Sequence, residues 1–233
     1  DFGPVTLTSI TSYTDRQVTV VRDASQLTGS VTYDLEEAYT DEGAISADVR
    51  LNSPLIDATD LNAFSQELRL SSNDPQAQFR WLIGAFYQQV DRDYGQTLPT
   101  PGYDARVISR LSITEGLDST DLGAPPDHPY FSYLTYDFEQ FALFGEATWQ
   151  FTDAWSLTAG LRWYDFSEDR LLTFAGLFAD QGYTDEPGKT ESDGFSPRAI
   201  LAFRPSEDIL LTAQVARGFR LGGINDPLNV TLC

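Results

Sequence analysis

The sequence contains no methionine and, in 233 residues, a single lysine, a single histidine and a single cysteine. A lone thiol, Cys233 at the last position, excludes an intramolecular disulfide framework and a cysteine-based zinc site. Cations are scarce, with 15 Lys plus Arg against 35 Asp plus Glu, for a formal net charge of -20. Phosphate backbones need a basic footprint, so this balance argues against nucleic acid as a partner. No apolar run approaches the roughly 18 residues of a membrane-spanning helix. Spanning strands stay open, because alternating strands average out as polar. Chemistry is sparse as well. His128 stands between Asp127 and Pro129 with no partner that would make it a general base. Asp1-Phe2-Gly3 matches a kinase tripeptide without the accompanying phosphate loop. The sequence therefore predicts no enzyme, no catalytic residue, no cofactor and no bound metal.

What is present in quantity is period-two alternation, the mark of strands with two unlike faces. Phe141, Leu143, Gly145, Ala147, Trp149 and Phe151 share one face, and Gln140, Ala142, Phe144, Glu146, Thr148 and Gln150 the other. After the turn 152–154 the pattern resumes, with Trp155, Leu157, Ala159, Leu161 and Trp163 opposite Ser156, Thr158, Gly160, Arg162 and Tyr164. The same hairpin unit recurs around the turns 73–78 and 204–208, and a seventh extended segment covers about Val5 to Val21. The connections 23–61, 97–137 and 175–193 are long, lack periodicity and hold 20 acids against 4 bases. Loops of this length are uncommon in compact soluble domains. Short turns alternating with long connections describe an outer-membrane β-barrel, the short turns periplasmic and the long loops extracellular. Phe79, Trp81, Phe151, Trp155 and Phe203 beside the short turns fit an interfacial aromatic girdle. Two alternatives stay open on pattern alone: a passive porin-like barrel, and a secreted β-sandwich with a carbohydrate-binding or hydrolytic site.

Five blocks carry a resemblance. They are Phe64-Ser65-Gln66-Glu67-Leu68-Arg69-Leu70-Ser71-Ser72, Phe79 to Tyr87, Phe141-Ala142-Leu143-Phe144-Gly145-Glu146, Leu157 to Trp163, and Ala216-Arg217-Gly218-Phe219-Arg220-Leu221-Gly222-Gly223-Ile224-Asn225. In this order the sequence resembles the barrel of TonB-dependent outer-membrane receptors. The fold expected is all-β: an antiparallel up-and-down transmembrane β-barrel, partial, about seven strands of a larger 22-stranded barrel with its plug domain absent. The resemblance implies an internal fragment, about a third of a receptor in the outer membrane of a Gram-negative bacterium. It also implies TonB-dependent active import of a scarce nutrient, most commonly an iron-siderophore chelate. The partners it implies are the TonB complex, engaged through missing N-terminal parts, outer-membrane lipid and lipopolysaccharide, and a small nutrient such as a metal chelate.

Two residue sets are candidates for function. Glu67, Arg69, Glu146, Arg162 and Arg198 lie on the polar strand face, which in a barrel lines the lumen. There they would contact a plug or substrate, or form structural cross-strand ion pairs. Tyr103, Tyr130, Phe131, Tyr133, Tyr136, Phe178 and Tyr183 lie in the long connections, where aromatics either grip a ligand at the mouth or pack the loops together. The acidity of those connections disfavours a strongly anionic substrate by electrostatic steering.

Overall fold

The computed structural model describes residues 3–39, 51–108, 117–179, 182–218 and 222. Seven strands form one sheet in sequence order: β1 (Val5–Asp23), β2 (Pro54–Ser72), β3 (Phe79–Thr97), β4 (Phe131–Gln150), β5 (Trp155–Ala175), β6 (Tyr183–Ser206) and β7 (Ile209–Ala216). Every neighbouring pair is antiparallel, so the sheet has up-and-down connectivity throughout. A tilted strand needs about 9–11 residues to cross a bilayer. Strands β1 to β6 have 19 to 24 residues and extend well beyond that.

The register sorts every strand into the same two faces. One transverse row runs Phe79, Trp149, Leu157, Leu201 and Ala213; eight residues up β4, another runs Tyr87, Phe141, Asp165 and Asp193. Between them lie Ile83, Leu143, Ala147, Ala159 and Leu161. Large apolar side chains on this face are exposed, Ile83 at 53% and Leu161 at 50%. An unburied apolar band of this kind needs hydrocarbon as its solvent.

Aromatic rings border the band at both edges. Trp149, Phe151, Trp155 and Phe203 form a chain with centroid separations of 5.6, 6.5 and 4.3 Å beside the short turns. At the far edge Phe64 pairs with Tyr87 at 6.4 Å and Phe141 with Trp163 at 6.1 Å. The sequence reading identifies the first girdle and misses the second. Its members come from four strands, and only the register puts them at one height.

The connections differ from the sequence expectation in extent. Strands continue through 54–61 and 131–137, and β6 begins at Tyr183, so the third long connection is only 176–182. In 54–61 and 131–137 polar and apolar residues share both faces, and the start of β6 is polar on both, which removes the alternation by which a strand is recognised. A helix, α1 (Ser25–Tyr39), stands where no periodicity was found. Its interior carries Thr28, Gly29, Val31 and Thr32, poor helix formers, so propensity hides it. The Asp23 carboxylate accepts a hydrogen bond from the Ser25 backbone N–H at 2.9 Å, which steadies its start.

The only clustered hydrophobic core among the described residues lies in the connections. Leu51, Tyr103, Val107 and Ile108 are buried together, with Leu122, Leu177 and Phe178 packed against them; Tyr103 begins the single-turn helix α2 (Tyr103–Arg106). The Thr32 and Tyr103 hydroxyls hydrogen-bond at 2.7 Å, tying α1 to the second connection. Phe178 N–H donates to Pro129 O at 2.9 Å, tying in the third. Gly176 has φ +92°, and a Cβ there would meet Pro129 O at 2.6 Å, so only glycine fits this crossing.

Candidate functional site

All five charged candidates fall on the face opposite the apolar band. The rows are Glu67 with Phe86, Ala142 and Tyr164; Arg69 with Gly84, Phe144 and Arg162; and Glu146 with Gly160 and Arg198. Glu67 pairs with Arg69 along β2, and Glu146 with Arg198 across β5. The second pair spans two strands because Gly160 lies between its members without a side chain; a Cβ there would sit 3.2 Å from Glu146 Oε2. Phe144 folds over Gly84, where a Cβ would come 2.5 Å from Phe144 Cζ. The Arg162 guanidinium lies 5.5 Å from the Phe86 ring centroid and 5.8 Å from that of Phe144. Its Nε is buried and has no hydrogen-bond partner among the described residues. A concave surface of about 600 Å³ brings Arg69, Phe144, Glu146, Arg162 and Arg198 together with Arg217.

The aromatic candidates separate into different roles. Tyr103 is 1% exposed and its ring meets Phe178 edge-on at 6.0 Å, so both pack the connections together. Tyr130 meets Phe174 at 6.0 Å. By register Phe131 and Tyr133 belong to the face of the apolar band, and Tyr136 to the polar face. Tyr183 opens β6, and its side chain lies outside the described residues.

A second charged set, on the polar face beyond the band, escaped the sequence reading. Arg92 sits 4.3 Å from the Tyr136 ring centroid and 5.8 Å from that of Tyr94. The Tyr94 hydroxyl donates to Asp57 at 2.9 Å, and Gln96 Nε2 donates to the same oxygen at 2.6 Å. Burial, then that hydrogen bond, pushes the Tyr94 hydroxyl up to about 12. Burial alone would raise Asp57, but hydrogen bonds from Gln96, Tyr94 and Arg22 outweigh it and hold the carboxyl below its usual value. The available signal was the alternation Asp91-Arg92-Asp93-Tyr94, which puts acids and cation on opposite faces of one strand.

On the opposite face, past the far girdle, Asp91, Asp137 and Asp169 stand in register on three adjacent strands. Burial, then the charges of Asp91, Asp169 and Asp93, raises the Asp137 carboxyl above its usual value. A carboxyl raised on folding costs stability above its folded pKa, and the cost fades as pH falls through that value toward the unfolded one. Asp137→Asn should therefore stabilise the parent receptor at neutral pH, with the gain disappearing on acidification. Denaturant midpoints of both proteins across pH 4 to 8 would show it, and a pH-independent difference would contradict it.

With this geometry in hand, comparison with known proteins is decisive. The family described as TonB dependent receptor-like, beta-barrel matches residues 2–230. The chain belongs to that family. Its strands are a stretch of a TonB-dependent receptor barrel, and its place is the outer membrane. Among solved structures it is similar to the ferric yersiniabactin uptake receptor FyuA from Yersinia pestis, at TM-score 0.52 and 14% identity, over 66% of this chain and 20% of that one. It is also similar to the siderophore receptor PiuA from Acinetobacter baumannii, at TM-score 0.45 and 15% identity, over 87% of this chain and 28% of that one. The chain thus spans less than a third of either receptor. At such identities the first likeness speaks for the fold, and the second carries no argument.

Proposed function

We propose that this chain is a wall segment of a receptor that imports a scarce nutrient across the outer membrane under TonB control. A ferric siderophore type of chelate is the cargo we favour. In this reading the polar face lines the lumen and the apolar band faces lipid. Connections 24–53, 98–130 and 176–182 are extracellular, and the turns beyond Ser72, Gln150 and Ser206 are periplasmic. The observation that carries it is one sheet with an exposed apolar band between two aromatic girdles and a charged opposite face. Family membership supports the TonB coupling, and the name of the FyuA structure supports an iron chelate. TonB contacts belong to parts outside this chain; lipid and lipopolysaccharide meet the band and its upper rim. No chemical step on the cargo is required, so the reading is transport and not catalysis, with energy drawn from the inner-membrane proton gradient.

The test is uptake of a radio-iron chelate by iron-starved cells that carry or lack the parent receptor, each with and without TonB. Uptake should require both. Equal uptake without TonB would overturn the reading in favour of a passive pore, and altered ligand recovered from purified receptor would favour an enzyme.

A further inference from the structure

We infer that Arg92 is a specificity-determining residue of the inner wall that selects a cargo of net negative charge, an inference that rests on the import reading above. The premise is how charge is divided between the two faces. Arg16, Arg22, Arg69, Arg80, Arg92, Arg162, Arg170 and Arg198 all fall on the polar face by register. Asp15, Asp60, Asp91, Asp93, Asp137, Glu139, Asp165, Asp169, Glu191 and Asp193 fall on the other, with Lys189 as the one base there. Among the strand residues the acids therefore lie mainly on the outer face, while Asp57, Glu67, Glu146, Glu168 and Glu186 fall on the inner one. The inner face carries the cations.

Beyond the membrane band three of those arginines share one transverse row, Arg16, Leu61, Arg92, Tyr136 and Arg170. Arg92 is central in it, with its guanidinium close to the Tyr136 ring and a second ring, Tyr94, farther off. Its Nε is buried with no hydrogen-bond partner among the described residues. Three acids on the same face lie near this row, one of them Glu186, which stands one row away opposite Leu172. Asp57 is engaged by Arg22, Tyr94 and Gln96, and Glu168 stands one row away opposite Phe138. A planar guanidinium set against aromatic rings, with no ion-pair partner among the described residues, suits a carboxylate or catecholate edge better than a neutral hydroxamate. Its field acts inside a concave wall, where cations reinforce one another.

The experiment uses the parent receptor, in cells and purified, with two ferric probes of similar size: a net-negative triscatecholate and a neutral trihydroxamate. The wild type should bind and import the negative probe preferentially. Arg92→Gln should weaken binding of the negative probe by about tenfold or more, the scale of a charged hydrogen bond, and leave the neutral probe unchanged. Arg92→Lys, which keeps the charge and loses the fork, should fall between. Equal loss for both probes would assign Arg92 a structural role and overturn the proposal, as would no change or failure of the wild type to bind the negative probe. TonB-dependent uptake with no charge preference would leave import standing and remove this inference. Arg92-dependent binding without TonB-dependent uptake would do the reverse.

Discussion

Ala159→Arg should destabilise the parent receptor by about 2–4 kcal/mol, the depth-dependent cost of a cation facing the bilayer midplane. Ala159 lies midway between Trp155 and Trp163 on β5, and its register neighbours Ala147 and Ala199 are small enough to leave an arginine room. Steric conflict is thus removed as the cause, and desolvation is left. The neighbouring substitution Thr158→Arg points to the opposite face. It gives up the 2.8 Å hydroxyl contact with Thr148 and enters a wall already rich in arginine. That loss is worth about 1 kcal/mol. Denaturant unfolding of both variants refolded into bilayers would measure the difference. Equal penalties would mean that the two faces have been assigned wrongly.

Tyr103→Ala should open the cluster formed by the three long connections without harming the sheet. Truncating a buried aromatic costs about 3–5 kcal/mol where the surroundings cannot collapse, and this ring is packed by Phe178, Val107, Ile108 and Leu51. Tyr103→Phe keeps the packing and loses only the hydroxyl contact with Thr32, about 1 kcal/mol. Hydrogen exchange of the parent receptor would separate them. In the alanine variant amides over 98–108 and the start of α1 should lose protection, while those of β3 and β4 near Ala85 and Leu143 keep theirs. Unchanged exchange over 98–108 would show that the cluster does not hold the connections together.

The band-crossing part of the sheet was readable from the sequence because each residue there has one of two solvents, and period two records the choice. Leu143, Ala147, Leu157, Leu161 and Leu201 fall on one face by alternation alone, and Thr148, Thr158, Arg162 and Arg198 on the other. Above the band β6 is polar on both faces and β2 mixes polar and apolar residues on both, so β6 could not be traced back to Tyr183 nor β2 to Pro54. The same loss of contrast placed strand acids in the connections, since Asp60, Asp137, Glu191 and Asp193 are strand residues on one face. The charged candidates could be placed on a face but not paired. The reach of Arg198 over Gly160 to Glu146 depends on a register between β4 and β6 that no local pattern encodes. Tyr103 illustrates the opposite failure: an aromatic in a polar stretch reads equally as a ligand contact or a core residue, and burial at 1% decides for the core.

The distance between the two girdles has a consequence for where this wall can reside. From Phe141 to Trp149 on β4 there are eight residue steps. At about 3.4 Å per step and a tilt of about 35–45°, the apolar slab is about 20 Å thick. A typical bilayer has a hydrocarbon core of about 30 Å, and the bacterial outer membrane is thinner than average. In the inner membrane the Asp165 and Asp193 row beyond Trp163 and Phe195 would be drawn into acyl chains, or the bilayer would have to pinch around the barrel. Hydrophobic thickness alone therefore favours delivery of this wall to the thinner membrane, independently of any targeting signal.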